Sequence, residues 1–267
     1  MWGSEHIVTI EGLTLRVVRS GIGPPLLLLN GIGASAEMWA PMVARLDGHE
    51  LVAVDLPGSG SSPPSLRPMR IRSFARMATG LLDALGYDRI DVLGYSFGGI
   101  VAQEFARRSP ERLNRLVLCA TSPGLGGVPP NPAAALLLLS PVRYYNRSVA
   151  RWIVPLIAGG RTRHDQRSLE QHLVERLANP PSAWGYVNQL WAVTGWSSLP
   201  WLRLVRHPTL ILHGDDDPLV PIANARRMAA TIPGASLCVV SGGGHLFLMD
   251  EPESIIDDLI GFLAPDS

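Results

Sequence analysis

Ser96 stands in the stretch DVLGYSFGG, with Gly94, Gly98 and Gly99 around it. A hydroxyl is a weak nucleophile until a base removes its proton and an anion orients that base. The partners to look for are a histidine and a carboxylate. Of the seven histidines, His207, His213 and His245 fall usefully after the serine. His245 lies in SGGGHLFL, and three glycines before a histidine suit a mobile loop that carries a ring to a fixed point. His213 ends an apolar run directly before Gly214 and reads as a packed strand-end residue, while His207 precedes Pro208 and reads as a loop residue. His245 is therefore the expected base. For the acid, TLILHGDDDPLVP offers Asp215, Asp216 and Asp217. A solvated acidic turn is another reading of this triplet, whereas a calcium loop would need alternating ligands and a later glutamate.

The setting of Ser96 carries more weight than GxSxG itself. An apolar run, Ile90–Leu93, precedes it and a helical pattern, Gly99–Arg107, follows. A sharp strand-to-helix turn forces the serine into a strained backbone conformation, and side chains two residues away on either side would collide. The hydroxyl is then held at a helix N-terminus, where negative charge is favoured. In this strand–serine–helix arrangement the partners follow in the order serine, acid, histidine. The developing oxyanion needs two N–H donors. One is the backbone N–H of Phe97, next after the nucleophile. The other is expected from Ile32, flanked by Gly31 and Gly33 in LLLLNGIGAS. DLPGSGSS, residues 55–62, lacks the spacing of a dinucleotide fingerprint and reads as a structural turn near the site mouth.

The elements that must position these groups alternate along the chain. Strands are expected at His6–Ile10, Leu13–Arg19, Pro25–Asn30, Glu50–Asp55, Ile90–Leu93, Leu113–Ala120, Thr209–His213 and Ser236–Val240. Helical spacing of apolar residues marks Ile71–Leu85, Gly99–Arg107, Pro221–Thr231 and Pro252–Leu263. Two strands able to form a hairpin come first and β-α alternation follows. That order predicts an α/β fold, a mostly parallel eight-stranded sheet with helices on both faces.

The alternation breaks between Ala120 and Thr209. Residues 123–206 read as a helical cap inserted into a core formed by 1–122 and 207–267. This insertion holds nine arginines against three acids, and Trp152, Trp184, Trp191, Trp196 and Trp201. Its rings are expected to form chiefly the cap's own core, with some offering apolar surface to a substrate.

Length and composition fit one globular unit, with 46% hydrophobic and 17% charged residues in 267. Net charge is zero without aromatic–basic interleaving, which argues against a nucleic-acid partner. No apolar run approaches the ~20 residues of a membrane helix. The N-terminus MWGSEHIVTI shows no secretory pattern. Cys119 and Cys238 each sit in an apolar run and read as buried free thiols. A cytoplasmic protein is the expectation.

Five blocks carry a resemblance: NGIGA (Asn30–Ala34), SPVRYY (Ser140–Tyr145), GWSSLPWL (Gly195–Leu202), PTLILHGDDDPLVP (Pro208–Pro221) and GHLFL (Gly244–Leu248). Over nearly its full length the chain resembles the α/β-hydrolase superfamily. Within it, the chain is similar to the intracellular poly(3-hydroxyalkanoate) depolymerases of medium-chain-length polyesters. The resemblance implies Asp217 as the acid and His245 as the base, with no metal or organic cofactor. It implies a serine ester hydrolase acting on an apolar ester or polyester, at a polyester granule surface in the cytoplasm. A general carboxylesterase or lipase-like hydrolase is the alternative, and a non-catalytic ligand-binding protein of the same fold a third reading. One departure stands out, since that family tends to have tryptophan after the nucleophile where this chain has Phe97.

Overall fold

The computed structural model describes residues 2–264. Strands β1 (Ser4–Ile10) and β2 (Leu13–Ser20) form an antiparallel hairpin. Its turn is Glu11–Gly12, with φ of +47° and +81°, the double left-handed turn that matches strand twist. Then come β3 (Pro25–Leu29), β4 (Glu50–Val54), β5 (Ile90–Tyr95), β6 (Leu113–Cys119), β7 (Thr209–Gly214) and β8 (Ser236–Val240). Among the described residues these make one eight-stranded sheet in the order β1-β2-β4-β3-β5-β6-β7-β8. Only the β1/β2 and β2/β4 pairings are antiparallel. All eight expected runs are strands; Ser236–Val240 has the expected bounds and the other seven have one end displaced by one or two residues.

Helices α1 (Ala40–Val43), α2 (Ile71–Leu85) and α3 (Phe97–Arg108) lie between the early strands. Between β6 and β7 come α4 (Pro132–Leu138), α5 (Arg147–Ala158), α6 (Gly160–His164), α7 (Gln166–Ala178) and α8 (Ala183–Val193). Helix α9 (Ile222–Thr231) joins β7 to β8, and α10 (Phe247–Asp250) and α11 (Ile256–Leu263) follow β8. The central strands alternate their side chains between two cores. Leu27 and Leu29 of β3 pack with Phe74 and Leu81 of α2, Val101 and Phe105 of α3 and Met228 of α9. Leu26 and Leu28 face the other way, onto Trp39, Met42, Phe247 and Leu259. A strand buried on both faces is apolar throughout, which is why β3 reads PLLLL.

The segment between β6 and β7 is fastened to this sheet at several points. Ala150 and Val154 of α5 and Leu173 of α7 join the second core. The side chain of Asp250 accepts hydrogen bonds from Thr162 at 2.5 Å and from Ser168, and pairs with His172 at 2.6 Å. Burial alone would push the Asp250 carboxyl up, but these partners outweigh it and hold the group below the ordinary aspartate value. In the 55–62 turn, a Cβ on Gly58 would stand 2.4 Å from the Gly185 Cα, so glycine there lets α8 dock on the turn. The aromatic residues correct the expectation that most of them form the insertion's own core. Trp201 and Trp196 pack edge to face at 6.1 Å and join the sheet's first core. Trp152, Trp184 and Trp191 are exposed. Each lies on the outward face of an amphipathic helix whose opposite face is already buried.

Cys119 is a buried free thiol as expected. Cys238 is also free but half-buried, because β8 is an edge strand, and its thiol donates to Asp258 of α11 at 3.1 Å.

Candidate active site

Strand β5 runs to Tyr95 and α3 starts at Phe97, so Ser96 alone makes the turn. Its backbone has φ +53° and ψ −115°, a conformation that costs a non-glycine residue about 1–3 kcal/mol. The surroundings fix it. The Ser96 N–H donates to the Cys119 carbonyl at 2.8 Å, and its carbonyl accepts from the Thr121 hydroxyl at 2.7 Å. A Cβ on Gly94 would stand 2.5 Å from the Gly98 carbonyl oxygen. At Gly98 the obstacle is different from the expected one, since its Cβ would lie 2.0 Å from the Leu29 carbonyl oxygen of β3.

His245 reaches Ser96 from the loop after β8. Its Nε2 lies 3.1 Å from Ser96 Oγ and its Nδ1 2.7 Å from Asp217 Oδ2. The His245 N–H donates to the Ala158 carbonyl at 2.5 Å, and the Tyr95 hydroxyl donates to the His245 carbonyl at 2.7 Å. Gly242 takes φ +71° with no described atom within 4 Å of its Cβ position, whereas Gly244 serves close approach. A Cβ on Gly244 would stand 2.3 Å from the Ala158 carbonyl oxygen, and one on Gly214 would stand 2.1 Å from that of Gly243. They wedge the loop between β7 and the α5–α6 junction, rather than freeing it as the sequence suggested.

The three aspartates divide three tasks. Asp215 Oδ1 accepts the Gly242 N–H at 2.6 Å, which holds the histidine loop. Asp216 accepts the Gly160 N–H at 2.8 Å and pairs with Arg163 at 3.1 Å, which holds the insertion. Asp217 alone meets His245. Its Oδ1 accepts the Leu219 and Val220 N–H groups at 2.9 and 2.8 Å, so both carboxylate oxygens are committed. His213 is buried beside it, with Nε2 3.7 Å from Asp217 Oδ2. Burial lowers the His213 pKa below 6.5.

Ile32 and Phe97 line the same cavity as Ser96 and His245. Phe97 opens α3, so its N–H has no acceptor within the helix. Its ring packs edge to face on Phe74 at 5.1 Å. The Ile32 loop is held from the insertion. The Tyr144 hydroxyl donates to the Ile32 carbonyl at 2.7 Å, and the Gln189 side chain accepts the Gly33 N–H at 2.9 Å. Gln189 also donates to Ser59 Oγ at 2.9 Å, which ties the 55–62 turn to this loop. Gln189 was not singled out in the sequence, and Tyr144 was read only as one of the insertion's rings. Tyr144 stands in the SPVRYY block, but only the folded insertion brings it over Ile32.

The cavity has a volume of about 280 Å³. Apolar side chains such as Met38, Ile100, Leu138, Ile157 and Leu190 dominate its wall, and Ser96 and His245 are among its polar groups. Serine, acid and base all emerge at the C-terminal ends of strands in the parallel part of the sheet, where ligands bind in such sheets. The arrangement can deliver an activated alkoxide to a carbonyl carbon in an apolar, shielded space.

The alpha/beta hydrolase fold family matches residues 24–252 of this chain. A poly(3-hydroxyalkanoate) depolymerase of Ectopseudomonas oleovorans is 40% identical over 265 residues, covering 97% of this chain and 92% of that protein. A pimeloyl-[acyl-carrier protein] methyl ester esterase of Aromatoleum aromaticum is 33% identical over 89% of this chain and 98% of its own. Among solved structures, a hydrolase from Pseudomonas aeruginosa PA01 superposes with a TM-score of 0.85 at 26% identity, covering 98% of this chain and 99% of that one.

Proposed function

This chain belongs to the alpha/beta hydrolase family, and from that premise we propose that it is a serine ester hydrolase that depolymerises poly(3-hydroxyalkanoate)-type polyesters. The observation that carries the reading is the unbroken run Asp217–His245–Ser96, at 2.7 and 3.1 Å, on the wall of an apolar cavity. The 40% identity to a depolymerase supports the substrate. With Asp217 accepting from Nδ1–H, the Nε2 of His245 is free to take the Ser96 proton. Ser96 Oγ attacks the ester carbonyl, and the Ile32 and Phe97 N–H groups receive the oxyanion. His245 returns the proton to the leaving alcohol, and water then releases the acyl group by the same steps in reverse. Residues 123–206 act as a cap over the core formed by 1–122 and 207–267.

Exposed apolar side chains support contact with a solid polyester. Trp184, Val187 and Trp191 form one outward stripe on α8, and Trp152 and Leu156 another on α5. Among the described residues no helix is long and apolar enough to cross a membrane. Work at a cytoplasmic granule surface fits this reading. A general carboxylesterase is the second reading, favoured by the methyl ester esterase at 33% identity.

The test is a panel of polyester granules and soluble p-nitrophenyl esters, run on wild type and Ser96→Ala. The substitution should lower kcat by about 10⁴- to 10⁶-fold on every ester and abolish labelling by a fluorophosphonate. Hydrolysis of soluble esters without attack on granules would select the second reading. Full activity in Ser96→Ala would remove the serine from the mechanism.

A further inference from the structure

Arg143 carries a charge where water hardly reaches, at 2% exposure. Its guanidinium stacks on Tyr144 at 4.8 Å and on Tyr186 at 5.1 Å. Nη1 donates to the Ser140 carbonyl at 2.9 Å, while Nε has no hydrogen-bond partner. Among the described residues, no carboxylate comes within ion-pair distance of it. A buried cation without a counter-ion costs several kcal/mol; the two tyrosine faces and the Ser140 carbonyl offset part of that, and Nε is left as a donor without an acceptor.

Arg143 lines the cavity that holds Ser96 and His245, and so does Arg176 of α7. Arg176 Nη1 lies 3.2 Å from the Tyr144 hydroxyl, the group that donates to the Ile32 carbonyl. Positive charge thus extends from the insertion to the edge of the oxyanion loop. Among the described residues neither aspartate nor glutamate lines this cavity. Arg176 lines a smaller adjoining cavity as well, together with the neighbouring Glu175, whose charge acts on it from that side, whereas Arg143 lines the main cavity alone. A neutral ester of any length gains little from two guanidinium groups in an apolar space. A carboxylate gains an ion pair and charge-assisted hydrogen bonds, worth far more there than in water.

We propose that the cavity selects esters bearing a free carboxylate, namely hydroxy-acid oligomers bound by their ionised acid end, with Arg143 and Arg176 holding that end. The chemistry rests on the ester-hydrolase reading. Ser96 Oγ bonds to the carbonyl carbon of the terminal ester, and the bond to the alcohol oxygen breaks. That oxygen takes the proton held by His245 and departs as a free hydroxy acid. One water then cleaves the acyl-enzyme, restores Ser96 and releases the rest of the oligomer. The released piece ends in a new carboxylate and is again a substrate, so the oligomer is shortened from its acid end.

The test compares the dimer of 3-hydroxyoctanoic acid with its primary amide, which differs in charge and scarcely in shape. Wild type should show kcat/KM at least tenfold higher for the acid. Arg143→Gln should bring the two within about twofold, Arg143→Lys should recover part of the ratio, and Arg176→Gln should lower it. The ratio within each variant corrects for loss of folded protein. In parallel, calorimetry on Ser96→Ala should show 3-hydroxyoctanoate binding tighter than 3-hydroxyoctanamide, with the difference lost when Arg143→Gln is added. Equal turnover of both dimers by wild type would overturn acid-end selection and leave the hydrolase reading standing. Turnover of p-nitrophenyl esters but of neither dimer would overturn acid-end selection and leave the hydrolase reading standing. No turnover of the dimers or of p-nitrophenyl esters, with Arg143-dependent binding of the carboxylate, would overturn the hydrolase reading and leave the anion site standing. No turnover and no such binding would overturn both.

Discussion

His213 shows how much a single buried ring can do without touching a substrate. Its Nε2 lies 2.7 Å from the Val220 carbonyl, so that nitrogen carries the hydrogen, and Nδ1 is left without a partner. The Val220 carbonyl needs only one N–H, which a neutral imidazole supplies. Burial lowers its pKa below 6.5, and the nearby Asp217 charge only partly offsets this. The unfolded chain therefore takes up the proton at a higher pH than the folded one. Stability from this group is complete above pH 6.5 and is lost as pH falls toward the folded value. Thermal unfolding between pH 8 and pH 5.5 should show it, with a slope from this group of at most about 1.4 kcal/mol per pH unit. His213→Gln keeps a donor for Val220 and should flatten the profile; an unchanged slope would mean that His213 does not titrate in this window. His245 was legible from a residue type and chain order that suit a base for Ser96, and Asp217 was singled out from its two neighbours by the resemblance. The place of His213 was not legible. It follows from the tight turn in which Asp217 caps the Leu219 and Val220 N–H groups, a geometry that leaves no mark in apolar periodicity.

At the scale of elements, the β-α alternation was readable almost to the residue, because each strand buried on both faces is a run of Leu, Val and Ile. The reasons for the glycines were less readable. A glycine before a histidine signals either freedom or close approach, and only packing distinguishes them. Gly244→Ala decides it experimentally. Its Cβ would stand 2.3 Å from the Ala158 carbonyl oxygen and 2.6 Å from the Gly160 nitrogen, so either the α5–α6 junction or His245 must move. A displacement of that ring by about 1 Å costs on the order of 10²-fold in rate. The expected result is a drop of at least tenfold in kcat/KM, with unfolding still cooperative. Gly261→Ala on the exposed face of α11 is the control. No described atom lies within 4 Å of its Cβ position, and it should stabilise the chain by about 0.5–1 kcal/mol. Equal effects of the two changes would mean that the loop is free and not wedged.

The whole molecule places its positive charge and its exposed aromatic surface on the same segment. Residues 123–206 carry nine arginines against three acids, while the remainder of the chain is acidic. The break in alternation marked this segment in the sequence, but which tryptophans faced outward depended on how α5 and α8 docked. Helix α5 buries Ala150, Val154 and Ile157 and turns Trp152 and Leu156 to solvent, at 79% and 56% exposure. Exposure of this kind stabilises nothing in the isolated chain, and it gives apolar area to any surface that covers it. If that surface is a polyester particle, the loss of these side chains matters only when the substrate is solid. Trp152→Ser combined with Leu156→Ser should lower binding to suspended polyester, and the initial rate on it, by about fivefold or more. The soluble-ester kcat/KM should stay within about twofold of wild type. Sedimentation of the Ser96→Ala protein with the particles measures the binding step without turnover. Equal losses on particles and soluble esters would assign the two side chains to the stability of α5, and unchanged binding would move the contact to the α8 stripe of Trp184, Val187 and Trp191.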